Sequence, residues 1–262
     1  MKQFSAKILK NVPVADNFFE LTLLADEPVS QPLPGQFLTL RVTSSTTPLL
    51  RRPFAYSGTD DNSSSFSIIY QKRGNATDIL AGKQVNEHID CIGPLGNNFQ
   101  LSENSQTAIL VAGGIGIGPI LFLASELKKK NLPFQFIFGC RSRQFIPDLN
   151  VFSQLNPIIC TDDGSCGFKG TTADYLNKND SLIPSNSVFY TCGPDRMLHA
   201  CHQFSKKKGA KCWVSVEQVM ACGVGACMGC VVKVNTEQKY LRACKEGPVF
   251  DADILAWEDS SK

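Results

Sequence analysis

The chain has 262 residues, which is near the length at which a single hydrophobic core stops growing, so two domains and a small additional element are expected. Its content of 43% hydrophobic and 19% charged residues is typical of a globular protein and excludes a disordered chain. A net charge of only +2 argues against nucleic acid or a membrane surface as the main partner. We find no apolar run of membrane-spanning length and no secretory signal, which predicts a cytoplasmic protein.

Residues 1–100 have the pattern of short strands separated by turns. The predicted strands are rich in β-branched, aromatic or alternating apolar residues and cover 4–9, 18–25, 36–42, 65–70 and 87–93. Clusters of Pro, Gly, Asn and Ser lie between them. This pattern predicts a small antiparallel β-barrel domain over residues 1–100.

Strands and helices alternate from residue 107 onward. Predicted strands cover 107–111, 134–138, 157–161, 187–191 and 212–216, and predicted helices begin at Pro119 and Pro194. This alternation predicts a doubly wound α/β domain over residues 101–216, with a parallel sheet and helices on both faces. Residues 217–262 are rich in Cys and Gly and are too few to form a domain of their own.

Four of the eleven cysteines lie close together near the end of the chain. Their spacing is Cys222-x4-Cys227-x2-Cys230, followed after thirteen residues by Cys244, which is the plant-type [2Fe-2S] pattern. Iron in such clusters is held by soft thiolate ligands, and the glycines between these cysteines let the backbone fold around the cluster. A structural zinc site is the alternative, although zinc sites usually show two separated Cys pairs.

Two loops at predicted strand ends are candidates for nucleotide binding, because ligands collect at the carboxyl edge of a parallel sheet. Their candidate residues are Gly113, Gly114 and Gly116 in the first loop and Cys192, Gly193 and Pro194 in the second. The first loop precedes a helix, where backbone N–H groups can bind a pyrophosphate. An ordinary strand-to-helix turn is the alternative for the first loop and, for the second loop taken by itself, the favoured interpretation. No acidic residue follows at the spacing of a ribose ligand, which leaves the choice between NAD and NADP open.

The segment 50–57, Leu-Arg-Arg-Pro-Phe-Ala-Tyr-Ser, is unusual for a barrel strand. The guanidinium groups of Arg51 and Arg52 offer forked donors that suit a diphosphate. Phe54 or Tyr56 could lie against a flat ring. A surface charge pair beside a core aromatic residue is the alternative interpretation.

Taken in order, these features resemble the ferredoxin–NADP⁺ reductase superfamily. They are the barrel, the Arg-Pro segment, the Gly-Pro-Leu-Gly turn at 93–96, the glycine loop and the Cys-Gly-Pro turn at 192–194. Two tail motifs narrow the resemblance to the electron-transfer subunits of dihydroorotate dehydrogenase B. These are Met-Ala-Cys-Gly-Val-Gly-Ala-Cys-Met-Gly-Cys at 220–230 and Cys-Lys-Glu-Gly-Pro-Val-Phe at 244–250. The resemblance covers essentially the whole chain.

The resemblance implies an oxidoreductase subunit of pyrimidine biosynthesis with FAD in the barrel, NAD⁺ as co-substrate on the α/β domain and a [2Fe-2S] cluster in the tail. The implied partner is an FMN-containing catalytic subunit that oxidises dihydroorotate, in a heterotetramer of two of each subunit. Electrons would pass from that FMN through the cluster and FAD to NAD⁺. A reductase subunit serving a hydrogenase, a sulfide dehydrogenase or a ferredoxin is the alternative enzyme. A nucleotide-binding zinc sensor is the alternative without turnover.

Carried over residue by residue, the implied flavin contacts fall on three segments, and no side chain is assigned a catalytic role. The contacts are Arg52, Pro53, Phe54 and Ala55, then Ile69, Tyr70 and Gln71, then Gly74, Ala76 and Thr77. Ala55 stands where the family usually has Ser or Thr, so a hydroxyl is missing that Ser57 could replace. The Gly-Thr pair often seen near the flavin phosphates is also altered here, to Asn75-Ala76-Thr77.

Overall fold

The computed structural model describes residues 1–60, 64–101 and 106–257, and its first part is a closed antiparallel barrel. The barrel strands are β1 (Lys2–Ala15), β2 (Phe18–Ala25), β3 (Phe37–Arg41), β4 (Arg52–Thr59), β5 (Ser65–Gln71) and β6 (His88–Leu95). Their order around the barrel is β1-β2-β5-β4-β3-β6. Helix α1 (Asn75–Ala81) follows β5 and buries Ala76 and Leu80 against the barrel core. The predicted barrel is therefore confirmed.

Strand β4 is the barrel strand that the sequence patterns did not predict. It lies between β3 and β5, with Pro53 opposite Thr39 of β3. Successive side chains of a strand point to opposite faces, so Tyr56 is buried in the barrel core. Its ring packs edge-on against Phe66, with 5.3 Å between ring centroids. The segment is thus a barrel strand, and one of its faces contributes Tyr56 to the barrel core.

The second part is an α/β unit built on a seven-stranded sheet. Its parallel strands are β7 (Thr107–Gly113), β8 (Phe134–Cys140), β9 (Ile158–Thr161), β10 (Phe168–Lys169), β11 (Ser187–Cys192) and β12 (Cys212–Ser215). The helices are α2 (Ile117–Lys129), α3 (Asn150–Gln154), α4 (Thr172–Lys178) and α5 (Asp195–Lys207). The predicted doubly wound sheet is confirmed, and β10, α3 and α4 are additions to it. No helix in the described ranges combines the length and apolar character that a bilayer span requires.

The helices cover both faces of this sheet. Buried residues of α2 and α3 share one core with the first face, and those of α4 and α5 share a second core with the other. Helix α2 is buried almost all round because its run from Ile117 to Ala124 is apolar, and its Phe122 belongs to the barrel core. Helix α2 therefore joins the barrel to the sheet.

The tail is packed into the second core rather than being a separate unit. Its strands are β13 (Val231–Lys233) and β14 (Tyr240–Arg242), which form a hairpin, and β15 (Val249–Asp251). Strand β15 pairs antiparallel with β12, so the otherwise parallel sheet has an antiparallel edge from the tail. The His202 side chain of α5 lies 2.8 Å from Asp253, which adds a polar contact. The predicted domain limits at residues 100 and 216 stay a prediction.

Asn97 connects the end of the barrel to the tail. Its side-chain amide donates to the carbonyl oxygens of Glu246 and Val249, both at 2.8 Å. Its side-chain oxygen accepts from the Val249 N–H at 2.9 Å. Asn97 also donates its own backbone N–H to Gly247 at 2.7 Å. One residue thus fixes the segment just after Cys244.

We expect Asn97→Ala to lower the free energy of unfolding by about 2–4 kcal/mol, because three side-chain hydrogen bonds are lost and buried backbone groups lose their partners. Urea denaturation followed by circular dichroism measures this. Asn98→Ala is the matched control, since the Asn98 amide donates to the adjacent Phe99 carbonyl at 3.0 Å and bridges no two elements. Equal losses in the two variants would contradict the connecting role of Asn97.

Candidate functional site

A cavity of about 270 Å³ lies where the barrel, the sheet and the tail meet. This volume is near the lower end for small-molecule sites, which suits a flat ring system better than a whole dinucleotide. Many of the predicted cofactor-binding residues line it: Pro53, Phe54, Ala55, Ile69, Tyr70, Gln71, Thr77, Gly116, Cys192 and Gly193. The structure therefore brings together residues from β4, β5, the glycine loop and the Cys-Gly-Pro turn.

The other predicted residues do not line this cavity. They are Arg52, Gly74, Ala76, Gly113, Gly114 and Pro194. The Arg52 guanidinium donates to the Leu50 carbonyl at 2.6 Å, and the Ala76 side chain is buried in the barrel core. Gly74 and Pro194 precede the first residues of α1 and α5. Their assignment as cofactor contacts stays a prediction.

The unusual segment of β4 divides its side chains between different surroundings. Phe54 lines the cavity, whereas Tyr56 is buried in the barrel, so of these two aromatic residues Phe54 is the one available to a ring in the cavity. Arg51 is paired with Asp90, at 2.5 Å between nitrogen and carboxylate oxygen. Ser57 is buried and is not among the lining residues, so it does not replace the hydroxyl missing at Ala55 within the cavity.

The two predicted nucleotide loops touch one another at Gly116. A Cβ atom placed on Gly116 would lie 2.2 Å from the carbonyl oxygen of Cys192, which no side chain could tolerate. The glycine is thus needed for the close approach of the loops. Burial raises the pKa of the Cys192 thiol to about 12, with a smaller contribution from the Glu217 carboxylate. Cys192 is therefore a neutral thiol at the edge of the cavity.

Several lining residues were not predicted from the sequence. They are Phe37, Arg73, Ile115, Gly118, Pro119, Ser215, Val216, Glu217, Gln218, Met220 and Pro248. Arg73 carried a usable signal, since it is a basic residue directly before Gly74. Met220 and Pro248 come from the tail and lie near the cysteine ligands in sequence. Only the tertiary packing brings them to the cavity.

The four tail cysteines lie in two pairs. The thiols of Cys222 and Cys227 are within hydrogen-bonding reach of each other, and so are those of Cys230 and Cys244. Gly225 donates its N–H to the Cys244 sulfur at 3.1 Å, which ties the ligand loop to the fourth cysteine. Among described residues, no three or more His, Cys, Asp or Glu side chains are grouped to hold a single metal ion. Two thiol pairs suit a binuclear cluster, in which each iron takes two thiolates.

Backbone N–H groups point at the sulfurs of this loop. Val224 and Cys227 donate to the Cys222 sulfur at 3.5 and 3.4 Å, and Gly229 donates to Cys227 at 3.5 Å. The Val224 N–H in particular lowers the pKa of the Cys222 thiol to about 6. Burial, in contrast, raises the pKa of the Cys160 and Cys201 thiols to about 12. Burial also raises the pKa of the Cys244 thiol to about 12, so the loop favours the thiolate form at Cys222 in particular. The four thiols and the N–H donors of the loop fit a [2Fe-2S] cluster.

Arg242 clamps the ligand loop. Its guanidinium donates to the Gly225 carbonyl at 2.7 Å and to the Glu246 carboxylate at 3.0 Å. The hydrogen bond from the Arg242 side chain to this carboxylate lowers the pKa of Glu246 to about 2. Glu246 therefore stays ionised near neutral pH, and the clamp joins the loop of Cys227 to the segment of Cys244.

Comparison with known proteins identifies the family. Residues 217–256 match the model for the iron-sulfur cluster binding domain of dihydroorotate dehydrogenase B. The chain is 38% identical over 256 residues to the dihydroorotate dehydrogenase B (NAD(+)) electron transfer subunit of Geobacillus sp. (strain WCH70), covering 96% of this chain and 98% of that one. It is 36% identical to the Bacillus pumilus (strain SAFR-032) subunit, covering 98% and 99%. The chain belongs to this family.

Solved structures agree with this family's reductase fold. The structure of an NADH-dependent reduced ferredoxin–NADP oxidoreductase matches with a TM-score of 0.85 and 27% identity, covering 96% of this chain and 90% of that chain. Phthalate dioxygenase reductase matches with a TM-score of 0.67 and 17% identity, covering 89% and 87%, which shows the fold alone. Family membership and fold confirm the predicted electron-transfer role, while the individual site residues stay predictions.

We expect Cys227→Ser to lose the cluster while the barrel still binds FAD, because one iron would lack a thiolate and the cavity contains no part of Cys227. Iron and acid-labile sulfide, each measured per flavin, give the result. Cys166→Ser is the control, since Cys166 is a half-buried cysteine of the α/β unit. Full iron content in Cys227→Ser would remove Cys227 from the ligand set.

Proposed function

We propose that this subunit binds FAD with the flavin ring in the cavity and a [2Fe-2S] cluster on Cys222, Cys227, Cys230 and Cys244, and that it transfers electrons from a dihydroorotate-oxidising partner to NAD⁺. The observation that carries this proposal is the position of Met220. It lines the cavity and lies two residues before Cys222, so the two cofactor sites are neighbours in one structure. We further propose that the protein works in the cytoplasm, in a heterotetramer of two subunits of each kind.

The chain's own residues prepare the cavity for a flat redox ring. A cluster carries single electrons, nicotinamide accepts a hydride, and flavin can do both. Phe54, Ile69 and Pro53 provide apolar wall surface against which a flat ring can pack. Gln71 and Arg73 provide polar groups at the same cavity, and the Arg73 guanidinium suits a phosphate. The neutral Cys192 thiol places no competing nucleophile at the edge of the cavity.

The exposed side of the ligand loop is the proposed docking surface for the catalytic subunit. Cys227 is exposed, whereas Cys230 and Cys244 are 2% and 3% exposed. Beside Cys227, Val224 is 36% and Met228 is 54% exposed. Exposed apolar side chains around a redox ligand fit a surface that a protein partner covers. We propose that the FMN of the partner lies on this side.

A reductase subunit for a different electron donor is the second candidate. The observation that favours it is the likeness to the NADH-dependent reduced ferredoxin–NADP oxidoreductase structure, at a TM-score of 0.85. Higher identity to the dihydroorotate dehydrogenase B subunits, at 38%, favours the first proposal. The identity of the electron donor separates the two.

We expect the anaerobically purified protein to show flavin absorption overlaid with broad iron–sulfur bands. Mixed with the catalytic subunit of a related dihydroorotate dehydrogenase B, it should reduce NAD⁺ when dihydroorotate is added, as followed at 340 nm. The Cys227→Ser protein is the control and should give little NADH. A mixture that reduces NAD⁺ with reduced ferredoxin but not with dihydroorotate would favour the second candidate, and a colourless protein would contradict both.

We expect Met228→Glu to weaken association with the catalytic subunit by at least tenfold, because it places a charge in an apolar contact. Surface plasmon resonance with the immobilised catalytic subunit measures the dissociation constant. Leu182→Glu is the matched control, since Leu182 is 60% exposed and lies in the α/β unit away from the ligand loop. Equal affinities for the two variants would place the docking surface elsewhere.

A further inference from the structure

The Phe37 side chain lies at the boundary between the cavity and the cysteine loop. Phe37 is the first residue of β3, is 3% exposed and lines the cavity. Among the described residues that line the cavity, it alone is a buried member of the core that contains Cys230 and Cys244. Its strand partner on β4 is Ala55, which lines the cavity as well. One side chain is therefore part of both candidate cofactor sites.

Two glycines face the Phe37 ring, one near each edge. A Cβ placed on Gly223 would lie 4.0 Å from the Phe37 Cε2 atom, and Gly223 directly follows the proposed ligand Cys222. A Cβ placed on Gly96 would lie 3.0 Å from the Phe37 Cε1 atom and 2.6 Å from Pro248, another lining residue. Neither glycine has a side chain that would keep the ring away. The ring thus fills the space between the end of the barrel and the ligand loop.

We propose that the Phe37 ring contacts both redox groups and carries the electronic coupling between the [2Fe-2S] site and the flavin site. This inference rests on the proposed function, because it requires both groups. Each transfer moves one electron, which oxidises the cluster and reduces the flavin, and no bond is made or broken. Phe37 itself neither gains nor loses an electron or a proton. Its contribution is the contact that it provides.

Dense packing is the physical basis of this proposal. Electronic coupling decays less steeply through atoms in van der Waals contact than across a gap, so a filled space between two redox groups speeds the transfer of an electron. Protein interiors are packed as densely as organic crystals, and atoms that line a void lose their contacts on that side. Truncation of Phe37 would open such a void between Gly223 and the cavity.

Leu95 and Phe54 are matched controls, because each shares one part of the surroundings of Phe37. Leu95 is buried in the same core, and its Cδ1 atom lies 4.0 Å from the same Cβ position on Gly223, but it does not line the cavity. Phe54 lines the cavity but packs against the barrel core instead. Truncation of either control residue leaves the Phe37 ring in place.

The first test compares spectra of the full-length proteins with their bound groups. We expect Phe37→Ala to change both the flavin absorption bands and the electron paramagnetic resonance spectrum of the reduced cluster, because the ring borders both sites. Leu95→Ala should leave the flavin bands unchanged, and Phe54→Ala should leave the cluster spectrum unchanged. If either signal of Phe37→Ala equals that of the wild type, the inference is overturned.

The second test measures electron transfer within the protein. NADH is mixed anaerobically with the oxidised holoprotein in a stopped-flow instrument, and bleaching of the cluster reports the electron that passes on from the reduced flavin. The cluster should bleach severalfold more slowly in Phe37→Ala than in Leu95→Ala. Midpoint potentials of both groups, measured by redox titration of the same variants, separate a loss of coupling from a change in driving force.

Equal bleaching rates in Phe37→Ala and Leu95→Ala, or a difference that the midpoint potentials explain in full, would also overturn the inference. If Phe37→Ala does not retain both groups, Phe37→Leu carries the same two tests, because it keeps an apolar side chain and removes the ring. It should change both spectra and slow the bleaching as well. A wild-type protein that lacks the flavin or the cluster would instead contradict the proposed function.

Discussion

The cavity depends on the anchoring of residues 246–251 on two sides at once. On one side, β15 pairs with β12 and extends the sheet of the α/β unit. On the other side, Asn97 binds three backbone groups of this segment through its side chain. Pro248 lies between these two attachments and lines the cavity. Because hydrogen bonds to both units hold the tail, its cysteines have a fixed position relative to the barrel.

Burial and hydrogen bonding have opposite effects on the cysteine thiols of this chain, and burial raises the pKa even of the candidate ligand Cys244. Cysteines such as Cys160 and Cys201 are buried side chains of the sheet and α5, and their environment raises the thiol pKa. Cys222 lies in a loop whose backbone N–H groups lower the pKa of its thiol. The same residue type is thus an inert core side chain in one place and a candidate metal ligand in another. The difference comes from the backbone conformation around it.

The sequence was sufficient wherever a local pattern determines the structure. The bounds of β2 agree with the predicted 18–25, and the spacing of the four cysteines predicted a site whose thiols the structure brings together in pairs. The sequence was insufficient where tertiary contacts determine whether a segment becomes a strand. Arg52 and Pro53 disfavour a strand locally. Their segment nevertheless forms strand β4, because it pairs with β3 on one side and β5 on the other. Strand β15 has three residues and exists only because β12 offers an open edge.

The candidate site also contains both residues that a local motif predicts and residues that only tertiary packing brings there. Residues next to a recognisable motif, such as Phe54 and Gly116, were predicted and line the cavity. Glu217 and Met220 line it as well, but the sequence did not predict either as a cavity residue, although Met220 begins the tail motif at 220–230. They reach the cavity because the tail packs over the place where the barrel and the sheet meet.

The presence of Met220 and Pro248 in the cavity wall has a consequence for the order of assembly. A chain synthesised from its N-terminus folds domain by domain as it leaves the ribosome. The barrel strands and six of the seven sheet strands are synthesised before residues 217–248. Until then the cavity lacks one wall and is open to solvent on the side that the tail later covers. Cofactor entry through this side would precede the docking of the tail, so the last segment to fold would also retain what has entered.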